Sequence, residues 1–296
     1  MRILVFGRQG QIGWELARVL APLGSLTCLG RSELDLRESD RARRMIAQVR
    51  PQVVINAAAY TAVDQAEQEP ELARQVNALV PVMLAEAARD FEAAFIHYSS
   101  DYVFDGGQTR PYTEDDLPNP LSVYGRSKLE GERLLQRVGG AHLVLRTSWV
   151  YSLRRPCFAT QILHWARTQD RLRVAQDQVG SPTWSRLLAE ATGMLLAQLG
   201  PQPAAALSGL SGVYHLACST PASRLEWARQ ILLLDPHPEE QRVGAEAIQA
   251  AHGRDFPAPA PRPAFSALDS SRFATTFGLS LPSWEEGLRL AMDPDS

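Results

Sequence analysis

Lysine is nearly missing from this chain. Of its 30 basic residues in 296, 29 are arginine and one is lysine, Lys128. The lysine that survives marks a place a guanidinium does not fill, because only lysine offers a compact ammonium with a tunable pKa. Cysteine is scarce: Cys28, Cys157 and Cys218 are widely spaced, odd in number and without a CxxC. That excludes a disulfide framework or a zinc knuckle and fits a reducing compartment. A basic excess is also lacking. With 33 acidic residues the net charge is -3, too little positive charge to hold a nucleic acid by its phosphates. No stretch approaches the roughly 18 apolar residues of a membrane span, and the opening MRILVFG reads as a strand, not a leader. A cytoplasmic protein is expected.

What is present is a globular composition, 45% hydrophobic and 21% charged. At roughly 150 residues per domain, this length suits one large domain or two modest ones. Short apolar runs at 2–6, 26–29, 53–57, 94–98 and 143–146 read as strands, and the segments from Gln11, 38–50, 71–90 and 122–138 as helices. Strict alternation over 150 residues predicts right-handed βαβ crossovers, hence an α/β fold with a doubly wound parallel sheet. Beyond Tyr151 the rhythm weakens, with helices at 157–168, 184–199 and 223–234 and one more strand at 172–175. A dinucleotide-type domain is expected over 1–178, with its core in 1–150. A smaller C-terminal α/β substrate lobe is expected over 179–296, able to return short elements to the first domain; PAPAPRP at 257–263 reads as a stiff surface linker.

Gly7, Gly10 and Gly13 form a GxxGxxG between the first strand and the first helix. In that position glycines let backbone amides and the positive helix end approach a pyrophosphate. At the end of the second strand, where an acidic residue would hold ribose hydroxyls, stand Gly30 and Arg31, and a guanidinium there suits a 2'-phosphate. NADPH is therefore expected ahead of NADH, with Asp35 a candidate adenine contact. Tyr124 and Lys128 lie four apart on a predicted helix, so both side chains point the same way. With seven tyrosines and one lysine, that spacing arises in only about 2% of shuffled chains, which favours a functional pair. An ammonium beside the phenol would bring its pKa toward neutrality. Ser100, at the carboxyl end of the fourth strand, can orient a substrate carbonyl; His97 and His215 read as core histidines.

The glycine turn, upstream serine and YxxxK together resemble the extended short-chain dehydrogenase/reductases, whose dinucleotide domain is a Rossmann fold. Longer blocks (FGRQGQIGWEL, NAAAYTAVDQAE, HYSSDYVFDG, NPLSVYGRSKLEGE, DQVGSPTW, RPAFSALDSSRF) are similar to the dTDP-4-dehydrorhamnose reductase family. The resemblance implies cofactor contacts at Gly10, Gln11, Ile12, Asp35, Leu36, Ala59, Tyr60 and Thr61, with Lys128 on the nicotinamide ribose. It implies catalysis by Ser100, Tyr124 and Lys128, with serine where relatives often have threonine. Substrate contacts would be Ser100, Asp101, Tyr102 and Trp149, the last stacking on or walling the sugar ring, with Arg262 on the nucleotide diphosphate. Some relatives bind Mg2+ across a dimer interface through three glutamates; Glu15 and Glu285 match two, but Arg186 stands at the other. A fixed cation there predicts no metal, and a monomer or weak homodimer.

The resulting expectation is NADPH-dependent reduction of the C4 ketone of a nucleotide-linked 4-keto-6-deoxyhexose. Two rivals remain open at this stage. One is an epimerase or epimerase-reductase of the same superfamily, which needs a further acid-base group, for which Cys157 is the conspicuous residue. The other is a non-catalytic NADP-binding regulatory subunit similar to the beta subunit of methionine adenosyltransferase.

Overall fold

A computed structural model describes residues 1–293. Six strands form one parallel sheet: β1 (Arg2–Phe6), β2 (Ser25–Leu29), β3 (Val53–Asn56), β4 (Ala94–Ser100), β5 (His142–Thr147) and β6 (Gly212–His215). Their order is β2-β1-β3-β4-β5-β6. β3, β4 and β5 are buried along their whole length, which is why they read as near-continuous apolar runs. Alternate residues enter opposite layers. Ile3, Val5, Ile55, Ile96 and Leu145 face one core, while Leu4, Phe6, Val54, Phe95 and Val144 face the other.

The first layer is closed by α1 (Gln11–Val19) and α6 (Ser185–Leu199), through Leu16, Leu20, Leu188 and Leu195. The second is closed by α2 (Ser39–Val49), α3 (Pro70–Asp90) and α4 (Val123–Val138), through Ile46, Leu84, Ala88 and Leu135. α3 is continuous but not uniform: Pro70–Arg74, a π-helical stretch Gln75–Leu79, then Val80–Asp90. The predicted helix over 71–90 is present, and the π segment inside it bears on the site.

The chain after Thr147 does not stay apart from the sheet. β6 pairs in parallel with β5, and α6 covers the face beside α1. The strand expected at 172–175 forms as Arg173–Ala175, yet it pairs with Gln249–Ala251 and adds nothing to the main sheet. α7 (Arg224–Leu233) packs on this strand and on α5 (Phe158–Thr168), whereas α8 (Ser271–Phe277) packs on β6 and α9 (Trp284–Met292) on the Thr183–Trp184 segment. Trp227 of α7 is buried among Trp149, Tyr151 and Phe158. The expected linker 257–263 folds back on the first half, where Asp64 accepts from the Ala260 amide and from Arg262. All three cysteines are free. Among the described residues, no helix is long and apolar enough to cross a membrane.

Candidate active site

The strand order reverses direction between β1 and β3, so a crevice opens beyond their carboxyl ends, where ligands of open α/β sheets bind. A cleft of about 810 Å3 runs from there past β4 and β5. One end is the glycine turn. Gly7 has φ 94° and its missing side chain would overlap Ala57 and Ala58 after β3; a side chain on Gly13 would overlap the Gly7 carbonyl. Both glycines let α1 and β3 close on the turn. Gly10 precedes α1 and contributes no side-chain cap, so the first-turn amides of Gln11, Ile12 and Gly13 have no helix partner and are available to an anion. The Gln11 side-chain oxygen is buried without a partner. A backbone cradle that a Cβ would fill, lined by unpaired first-turn amides, fits a pyrophosphate.

The loop after β3 carries Ala59, Tyr60 and Thr61 and is pinned from below. Asn56 accepts from the Ala58 amide at 3.1 Å. Asn77, in the π segment of α3, accepts from the Tyr60 amide at 2.8 Å and donates to the Tyr60 carbonyl and Ser127 hydroxyl at 3.0 Å. The π turn aims Asn77 at this loop, and neither asparagine was foreseen from the sequence. Tyr60 donates to Glu69 at 2.7 Å, and burial together with that carboxylate pushes its phenol up to about 12.

At the adenosine end, Arg31 is largely exposed, 3.7 Å from Asp35. Asp35 is gripped by Arg37, which holds its carboxyl down to about 2. Asp35, Leu36, Arg31 and Arg37 all line the cleft. Gln9 is a further contributor: its side chain accepts from the Arg31 amide and donates to Ser32.

Tyr124 and Lys128 enter the cleft from one face of α4. The expected ammonium-to-phenol influence is not what the structure has. Lys128, 1% exposed, donates to the Tyr98 carbonyl at 2.7 Å and lies 3.2 Å from His97 Nε2. Burial lowers its pKa to about 8. Burial raises the Tyr124 pKa, the Ser100 hydroxyl lowers it, and Asp101 and Tyr102 raise it further. His97 is a core histidine as read, and burial with Lys128 beside it holds it neutral, its pKa well below the ordinary value.

Ser100 ends β4. It donates to Asp101 at 3.0 Å and accepts from the Tyr102 amide. Asp101, expected to touch substrate, is 2% exposed and also accepts from Ser148 and Ser266 at 2.9 and 2.6 Å. It lines the cleft, but its oxygens are committed to three hydroxyls, so its work is to hold Ser100. Tyr102 packs edge-on against Tyr124 at 5.6 Å. Trp149 sits in the left-handed region, φ 44°, a strained backbone of the kind found at ligand sites. Its ring walls the cleft, with Arg224 3.5 Å from its centroid and Gly180 and Trp227 beside it. Cys157 lines the cleft, with its thiol donating to the Ser152 carbonyl. Gly13 and Arg262 are not on the cleft wall; Arg262 is paired with Asp64 at 2.8 Å.

The model of the RmlD substrate binding domain family matches residues 1–296. The chain belongs to the dTDP-4-dehydrorhamnose reductase family. It is 38% identical to the dTDP-4-dehydrorhamnose reductase of Escherichia coli K12, over 98% of this chain and 96% of the other, and 39% identical to that of Burkholderia thailandensis, over 99% and 98%. Among solved structures it is similar to the dTDP-4-dehydrorhamnose reductase of Clostridium acetobutylicum, with TM-score 0.89 and 32% identity over 99% of both chains. The Bacillus anthracis dTDP-4-dehydrorhamnose reductase in complex with NADP matches with TM-score 0.86 and 29% identity, over 98% and 97%. The expected α/β fold with a Rossmann-type parallel sheet is thus the fold of the reductase family.

Proposed function

We propose that this protein is an NADPH-dependent reductase that converts dTDP-4-dehydro-L-rhamnose to dTDP-L-rhamnose, working in the cytoplasm. The observation that carries this reading is the meeting of Tyr124 and Ser100 in the cleft that begins at the glycine turn. When bound, NADPH supplies the hydride that the C4 carbonyl carbon accepts. The chain's own part is the oxygen side. On substrate binding Ser100 turns its one hydroxyl hydrogen from Asp101 to the carbonyl and orients it, and Tyr124 gives its phenolic proton to the oxygen as charge develops there. A raised phenol pKa suits this direction, since the acid form persists through the neutral range. The test is NADPH oxidation with dTDP-4-dehydrorhamnose, repeated with a GDP-linked ketosugar and in deuterated solvent. Turnover of the dTDP substrate without solvent deuterium at C3 or C5 is the expected result. Deuterium at either carbon would move the reading to an epimerase using Cys157, and inactivity on both sugars would move it to a regulatory subunit.

NADPH preference rests on Arg31 and Arg37. Two guanidiniums around the single Asp35 carboxylate leave one net positive charge at the adenosine end, where a 2'-phosphate needs it. Replacing both arginines by alanine is expected to raise the KM for NADPH roughly tenfold and to leave that for NADH within a factor of about two. Parallel loss for both cofactors would show that the pair does not read the phosphate.

We also infer a metal-free monomer or weak homodimer. Arg186 stands at the glutamate position and pairs with Glu190 at 2.9 Å, with Glu15 acting on it through space. Light scattering with and without chelator is expected to give one mass, and elemental analysis substoichiometric Mg2+. A chelator-sensitive dimer would refute this.

A further inference from the structure

Arg224 was not singled out by any sequence pattern, yet it holds the most unusual charge in the cleft. It is the first residue of α7, and the helix start is fixed by a reciprocal cap: Ser223 accepts from the Glu226 amide at 3.1 Å and Glu226 accepts from the Ser223 amide at 2.7 Å. The side chain is thereby aimed into the cleft wall. Its guanidinium lies over three aromatic rings, 3.5 Å from the centroid of Trp149, 4.6 Å from Phe158 and 5.5 Å from Trp227. Among the described residues its guanidinium has no carboxylate within ion-pair distance and no hydrogen-bond acceptor. Asp101 acts on it through space only, because that carboxylate is taken by Ser100, Ser148 and Ser266.

A guanidinium has five donors in a planar fork, and those of Arg224, half-buried on the cleft wall with no protein acceptor, are free to take two oxygens of an anion at once. The faces of the rings stabilise the cation but satisfy none of those N–H groups. The cofactor's pyrophosphate is the wrong anion. Arg224 stands by Tyr102 and Trp149, at the ends of β4 and β5, whereas the glycine turn follows β1, two to three strands and roughly 10–15 Å away. Arg262, the residue expected to take the nucleotide diphosphate, is already neutralised by Asp64.

We propose that Arg224 is the anchor for the diphosphate of the nucleotide-sugar substrate, gripping two phosphate oxygens with its fork while Trp149 backs its plane. This rests on the substrate reading proposed above. The experiment is calorimetric titration of dTDP, thymidine and NADPH into the full chain, its Arg224→Gln variant and its Arg224→Lys variant, with thermal melts of each. Arg224→Gln is expected to weaken dTDP roughly 10- to 100-fold and to leave thymidine and NADPH within about threefold. Arg224→Lys keeps the charge without the fork and should fall between the two. Unchanged dTDP affinity in Arg224→Gln, or in Arg224→Lys if the glutamine variant does not melt like the parent, overturns the proposal. Equal weakening of thymidine, or weakening of NADPH instead, also overturns it. Failure of the parent chain to bind dTDP would sink the substrate reading itself, a result distinct from a parent that binds and a variant that binds equally well.

Discussion

Replacing Tyr124 by phenylalanine is expected to lower kcat for ketone reduction by roughly a thousandfold while NADPH still binds. The magnitude follows from what is removed. The phenylalanine ring keeps the edge-on packing against Tyr102 and the burial of the position, so the cleft should hold its shape. What disappears is the one hydroxyl placed beside Ser100 to give up a proton. Water is a poor substitute because Tyr124 is only 8% exposed. The pH profile carries a second expectation. Burial raises the phenol's pKa, so the proton-donating form is present across the neutral range and is lost only far above it. The basic limb of kcat/KM should therefore not belong to Tyr124. Stopped-flow turnover with cofactor fluorescence titration measures both quantities, and a phenylalanine variant within tenfold of the parent would remove Tyr124 from the reaction.

The parts of this site legible in the sequence are the local ones. Buried parallel strands announce themselves as apolar runs, and a glycine turn or a YxxxK needs only a few consecutive residues to be recognised. β6 was missed because it is short and half exposed at its start, and it finds its partner β5 only after a long excursion through the C-terminal half. Asp101 is implied as a substrate contact by the family resemblance alone, not by any local pattern. Its true surroundings, Ser148 and Ser266, come from segments far along the chain, and no spacing rule links them. Arg224 is the extreme case. One arginine among 29 carries no signal, and its meaning depends on a tryptophan held in a left-handed turn after β5. The scarcity of lysine was legible, but the partners of Lys128 were not.

Those partners set the remaining large effect: exchanging Lys128 for arginine is expected to be nearly as damaging as exchanging it for alanine, with activity down at least roughly a hundredfold in both. The Asn56 oxygen is occupied by the Ala58 amide, so its nitrogen donates to His97 Nδ1, and the neutral imidazole then carries its hydrogen on Nε2, facing Lys128. An uncharged amine can accept that hydrogen and donate to the Tyr98 carbonyl. An arginine cannot shed its charge, is bulkier, and meets a donor where it needs an acceptor. The same geometry fits a lysine pKa lowered to about 8. Because the folded pKa lies below the ordinary 10.5, the unfolded chain binds more protons between about pH 8 and 10.5, and stability should rise with pH across that window, by roughly 3 kcal/mol relative to a Lys128→Met variant. The chain's poverty in lysine makes this directly measurable. Carbon-13 lysine labelling gives a single side-chain signal, and its titration midpoint should fall near pH 8 in the folded protein. A midpoint near 10.5, or an active arginine variant, would show that the lone lysine has no special surroundings to answer to.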